Sequence, residues 1–213
     1  RILAMFMVMV LHYLTLTEAL PRIGQKVEAG HIPAVFAESL CIVAVNVYVL
    51  QSGYFLSAVT FAWRRIFSVV AQSLFYTLGV PPVLVLLGLL PAGALRDPYR
   101  LLNGLFPLQA GHYWFVTAYV LLCLFAPFLN AGIEQLGKKR FGQLLVGLLL
   151  FFCVGKSFCP LPFATDRYGY DYGWFLCLYL TGAWMRKYGW GFLKSAGRGF
   201  LSYLVSTGAI ACM

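Results

Sequence analysis

The charge-poor stretches are what most constrain this chain. From Ile66 to Leu95 no side chain is charged, and from Ile32 to Trp63 only Glu38 is. Runs of this length match the ~20 apolar residues that carry a helix across a ~30 Å hydrocarbon core. Comparable runs recur along the whole 213 residues. Hydrophobic residues make up 61% and charged ones 11%, and mean hydropathy is +0.80. A soluble domain of this size needs more polar surface than that. The chain therefore reads as all-α: a polytopic transmembrane helical bundle of about seven helices. Its 17% aromatic content suits interfacial belts and lipid-facing surface.

In order, helix 1 is expected from Arg1 to about Leu20. A polar link with Arg22, Lys26, Glu28 and His31 follows, His31 standing there as a loop residue with no companion. Helix 2 runs from about Ile32 to Leu56. Helix 3 runs from about Ile66 to Leu90, and Pro81-Pro82 is expected to kink it or split it. A longer loop, Pro91 to Gly111, precedes helix 4, His112 to about Asn130. A basic link from Glu134 to Arg140 leads to helix 5, about Phe141 to Phe158. A loop with Asp166, Arg167 and Asp171 leads to helix 6, about Tyr172 to Trp184. Helix 7 begins near Gly199. The chain opens inside one apolar helix and stops inside another, which reads as a single membrane-embedded domain, 1–213, cut at both ends.

Charge sorts the links into two sets. One holds Arg1, Arg64, Arg65, Lys138, Lys139, Arg140, Arg186, Lys187, Lys194 and Arg198, with Glu134 as the sole acid. The other holds Arg22, Lys26, Arg96, Arg100, Lys156 and Arg167, mixed with Glu18, Glu28, Asp97, Asp166 and Asp171. The positive-inside rule makes the first set cytoplasmic and puts the N-terminus inside. The expected location is the inner or plasma membrane, multi-pass. The net charge of +9 is then a matter of topology, and no nucleic-acid partner is expected.

Within helix 1, Arg1 and His12 are eleven steps apart, about three turns plus roughly 20°, so they share a face about 16 Å apart along the axis. His12 falls near mid-depth. An ionisable group there is costly, which makes it a functional candidate. It reads either as a general base in a membrane cavity, imidazole being suited to that near neutral pH, or as a packed histidine bonded to a neighbouring helix. Glu38 is the only acid well inside an apolar segment. It either orients His12 or snorkels outward. Ser52 lies about −40° from Glu38 on the helical wheel, and Asn46 about 80°. Arg64 and Arg65 serve as topology anchors or as phosphate holders for a soluble donor, a task guanidinium geometry suits. Trp114 fits an outer aromatic belt. The six cysteines match no metal, haem or thioredoxin spacing and read as small hydrophobes; no metal site is expected. There is no Gly-rich phosphate loop, no H-x4-D box and no nucleophile elbow.

Four segments, in order, resemble the acyltransferase-3 family of integral membrane acyltransferases. Arg1 and His12 are similar to its R-x10-H motif. Val45-Asn46 through Ser52-Gly53-Tyr54-Phe55-Leu56, followed by Arg64-Arg65, is similar to its VNxFxxxSGYFL segment. His112-Tyr113-Trp114-Phe115 with Tyr119, Pro127 and Asn130 is similar to its W-F…Y…P…N helix. Trp174-Phe175 through Tyr179 and Gly182 to Tyr188 is similar to its WFxxLYxxGxxxxxY helix. The resemblance implies about ten helices in the whole family domain. It implies transfer of an acyl group, most often acetyl, from cytoplasmic acetyl-CoA to a hydroxyl acceptor such as an exported or cell-envelope glycan. His12 would be the general base; Glu38, singled out by its depth in helix 2 and not by the resemblance, is the candidate partner beside it. Arg1, Arg64, Arg65, Ser52, Tyr54 and Trp114 would serve donor or substrate binding. The competing readings are a transporter or flippase for a lipid-linked sugar, and a membrane sensor module.

Overall fold

The computed structural model describes residues 2–21, 25–108, 113–155, 158, 171–189, 191 and 195–211. The described residues are helices and their links, as the sequence requires. They form two compact units, one of Arg1–Ala58 with Lys138–Met213 and one of Val59–Gly137. Among the described residues, three helical stretches are long and apolar enough to cross a membrane: Ala29–Leu56, Trp63–Leu86 and Trp114–Gln135; Ile2–Leu16 is a shorter apolar helix.

In the first unit, α1 (Ile2–Leu16) stops four residues short of the expected Leu20. Its end is a Schellman turn. Glu18 sits in the left-handed region at φ 49°, its N–H bonds the Thr15 carbonyl and the Ala19 N–H bonds that of Leu14. Thr15 and Thr17 turn their hydroxyls back onto the Leu11 and Tyr13 carbonyls. A short turn, Ala29–His31, opens the second span. His31 does have a companion there: its Nδ1 accepts from the Glu28 N–H at 3.2 Å.

The second span keeps the expected bounds but loosens at Ile42–Val43, which divides it into α2 (Ile32–Cys41) and α3 (Ala44–Leu56). Neither proline nor glycine marks that point. In the second unit, α4 (Trp63–Leu74) passes through a π turn, Phe75–Gly79, into α5 (Val80–Leu86). Pro81 and Pro82 have no N–H to offer the carbonyls four residues back, and their rings crowd them. The widened turn absorbs this without breaking the helix. The expected loop after it is partly helical. Asp97 caps α6 (Pro98–Leu105) by accepting from the Tyr99 N–H at 3.0 Å, and proline at the first position suits a helix start. The Thr77 hydroxyl reaches the Gly104 carbonyl at 2.9 Å and ties α6 to the π turn. α7 (Trp114–Gln135) absorbs Pro127 and runs past the expected Asn130.

The chain then returns to the first unit. Only Leu136 and Gly137 separate α7 from α8 (Lys138–Leu149), so most of the expected basic link is helix. α8 continues as a π turn, Leu150–Gly155. α9 (Tyr172–Tyr188) runs four residues past the expected Trp184, ending at Gly189 with φ 71°. α10 is Ala196–Ala211.

α9 is the centre of the first unit. All seven residues from Cys177 to Ala183 are buried. Seven successive residues cover every direction around a helix, so α9 is enclosed there on all sides. Its neighbours are α3 and α8. Along α3 the contacts advance in step: Asn46 with Trp174, Gly53 with Tyr179, Tyr54 with Arg186. The two helices are therefore parallel. Along α8 they run in reverse: Lys138 with Tyr188, Phe141 with Trp184, and Phe152 of the π turn with Trp174. That pair is antiparallel. Both relations agree with an alternating series of crossings. α1 packs on both α2 and α3, so it passes their junction, and α10 packs on α2, where the Tyr203 hydroxyl donates to the Leu40 carbonyl.

Candidate functional site

Two of the first unit's motif segments meet on the α3/α9 seam. At one end, the Trp174 indole N–H donates to Asn46 Oδ1 at 3.1 Å. Asp171 caps α9 beside it: Oδ1 accepts from the Trp174 N–H at 2.8 Å, while Oδ2 is buried with no hydrogen-bond partner among the described residues. Asp171 as a whole is 6% exposed.

The middle of the seam is backbone against backbone. A Cβ on Gly53 would stand 2.6 Å from Tyr179 Cα, and one on Gly182 would stand 2.7 Å from the Tyr54 nitrogen. Only glycine permits that approach. Ser52 is fully buried here, and its hydroxyl donates to the Tyr48 carbonyl at 2.8 Å. At the far end the Arg186 guanidinium lies 5.1 Å from the centre of the Tyr54 ring. That distance is within cation–π range.

His12 is exposed on α1, on the side away from the buried Leu14. Two residues turn a helix by about 200°, which accounts for the opposition. Glu38 is half-buried on α2. The helices that carry them pack together, and no hydrogen bond or ion pair joins the two side chains. Arg1 lies outside the described residues, as do His112, Asp166 and Arg167. In the second unit, Arg64 is exposed and Arg65 half-buried in the first turn of α4, and Trp114 opens α7 with its ring edge-on to Phe115 at 5.9 Å. The described residues contain no cluster of three metal-binding side chains.

The segments on the seam are two of those that carry the resemblance noted in the sequence. The family model described as an acyltransferase domain, of the acyltransferase-3 family, matches residues 1–213. The chain belongs to that family. No curated protein and no solved structure matches it. For this acyltransferase, the structure explains several motif positions by packing: Gly53 and Gly182 let α3 and α9 touch, and Asn46 and Trp174 lock their ends. Sequence reasoning did not single out Asp171 or the Arg186–Tyr54 pair. Asp171 carried a signal, an aspartate directly before an apolar helical run. The Arg186–Tyr54 contact carried none, because it exists only once α3 and α9 are known to run parallel.

Proposed function

We infer that this membrane acyltransferase moves an acyl group, most often acetyl, from a cytoplasmic acyl-CoA to a hydroxyl of an exported or cell-envelope glycan. The observation that carries the reading is the family match over residues 1–213, joined to the R-x10-H spacing of Arg1 and His12. In this reading the neutral imidazole of His12 takes the acceptor hydroxyl proton as its oxygen attacks the thioester carbonyl. The C–S bond breaks, and the imidazolium returns the proton to the departing thiolate. Glu38, on the helix packed against α1, orients the ring. By the motifs in which they stand, Arg1, Arg64, Arg65, Ser52, Tyr54 and Trp114 are each assigned to donor or substrate binding; the burial of Ser52 and its bond to the Tyr48 carbonyl give it a packing role in the seam as well. The links that hold Arg64-Arg65, Lys138-Lys139-Arg140 and Arg186-Lys187 face the cytoplasm, and so does the N-terminus, by the positive-inside rule.

The test is transfer of label from acetyl-CoA by the full-length protein in membranes, with isolated envelope glycans as acceptor. Label on the glycan, lost in His12→Ala at equal protein level, is the expected result. Unchanged labelling by His12→Ala overturns the assignment of the base. Movement of glycan across the membrane with no label attached favours the transporter or flippase.

A further inference from the structure

The antiparallel packing of α8 and α9 brings the start of one to the end of the other. α8 begins Lys138-Lys139-Arg140, and α9 ends Arg186-Lys187-Tyr188. Neither helix contains an acidic residue. Asp171 lies at the opposite end of α9.

Three of these cations rest on aromatic rings. Lys138 Nζ is 5.5 Å and Lys187 Nζ 5.6 Å from the centre of the Tyr188 ring, and Arg186 lies over Tyr54. The rings are themselves held. Tyr188 packs against Trp184 at 4.6 Å and Phe141 at 6.4 Å, and Phe141 is fully buried. Gly142 makes room for the Trp184 ring, which lies 3.1 Å from where a Cβ would stand.

Lys138 and Lys187 meet on one ring. Lys138 stands in the first turn of α8, against the helix dipole, and Arg186 and Lys187 stand in the last turn of α9, with it. A multiply charged anion at this end is attracted by all three. Guanidinium and ammonium groups already positioned on rings lose less freedom in gripping it. The geometry points to a binding site for a phosphate-bearing anion at this end, formed by Lys138, Arg186 and Lys187 on the Tyr188 and Tyr54 rings.

Two sources offer that chemistry. One is the nucleotide of the acyl donor, in which case the site rests on the acyltransferase reading. The other is the headgroup of an anionic phospholipid. Binding is measured without turnover, so failure of the site and failure of the acyltransferase reading show separately.

The full-length protein is placed in phosphatidylcholine nanodiscs and titrated with adenosine 3′,5′-bisphosphate. In parallel, retained phosphatidylglycerol is counted by native mass spectrometry from mixed nanodiscs. The variant K138Q/R186Q/K187Q is compared with K139Q/R140Q/R198Q, which removes equal charge from positions that are likewise exposed. Weakening of bisphosphate binding by about tenfold or more in the first variant alone supports the site with a soluble ligand. Unchanged bisphosphate binding with loss of phosphatidylglycerol in the first variant alone supports it with a lipid. No difference from wild type in either assay overturns it, as does an equal loss in the control variant.

Discussion

Trp174 and Asn46, 128 positions apart in the chain, are joined by one hydrogen bond of 3.1 Å between indole N–H and amide oxygen. It fixes the register of two parallel helices. Within a membrane such bonds contribute modestly, about 0.6 kcal/mol on average and up to about 1.7. Asn46→Ala and Trp174→Phe are each expected to lower thermal stability in detergent. Because they share one bond, the double variant is expected to fall short of the summed losses by about 1 kcal/mol. Strict additivity would show that the bond does not couple the helices.

Below that bond the seam leaves no room for a methyl group. Gly53→Ala and Gly182→Ala each push a Cβ into backbone, which cannot swing aside as a side chain can. Overpacking of this kind costs about 1–3 kcal/mol or more. At Gly147, by contrast, an added Cβ would meet nothing within 4 Å, so Gly147→Ala is expected to be neutral or to stabilise by up to about 1 kcal/mol. Folded yield from size-exclusion profiles, with unfolding midpoints, checks the contrast. Equal behaviour of the three variants would remove the close-approach argument.

The helical class and most helix positions were legible because apolar runs and charged links alternate so sharply. Element ends were less so. Glu18 in a left-handed turn and the loosening at Ile42–Val43 depend on local backbone adjustment that residue type does not announce; Pro81-Pro82 announced a distortion, but not that a π turn would absorb it. α6 is different: Asp97-Pro98 is a readable helix start inside a stretch whose glycines and prolines otherwise suggest loop. At the site, Ser52, Tyr54 and Asn46 were visible as polar or motif residues, but their partners were not. Asn46 meets Trp174, and Tyr54 meets Arg186, only through long-range pairing of α3 with α9. A single sequence carries no record of that pairing.

Asp171 does two things with its two oxygens. Oδ1 caps α9, and Oδ2 is buried without a hydrogen-bond partner among the described residues. Removing a cap costs about 1 kcal/mol, so Asp171→Ala is expected to destabilise by that amount. Asp171→Asn keeps an oxygen for the Trp174 N–H and replaces the second oxygen with an amide, which removes the side chain's charge. It is expected to lie within about 0.5 kcal/mol of wild type, or above it. Unfolding midpoints of the two variants separate the roles. Asp171→Asn as damaging as Asp171→Ala would mean that the charge itself, and not the cap, is what α9 requires.

His12 and Glu38 lie on helices that pack together, yet they share no hydrogen bond. If His12 is the base, its loss removes proton transfer, an effect of about 10²–10⁴-fold on turnover. Because its side chain is exposed and supports no core packing, His12→Ala is expected to leave the unfolding midpoint unchanged. Glu38→Gln keeps the shape of the side chain and removes its charge. If Glu38 orients the ring, this variant is expected to lower kcat several-fold with little change in KM for either substrate. His12→Gln, which keeps a hydrogen-bonding group but is a far weaker base, separates chemistry from positioning. It is expected to be as inactive as His12→Ala. Substantial activity in His12→Gln would move His12 from base to binding group, and Glu38→Gln acting on KM alone would place Glu38 in substrate binding.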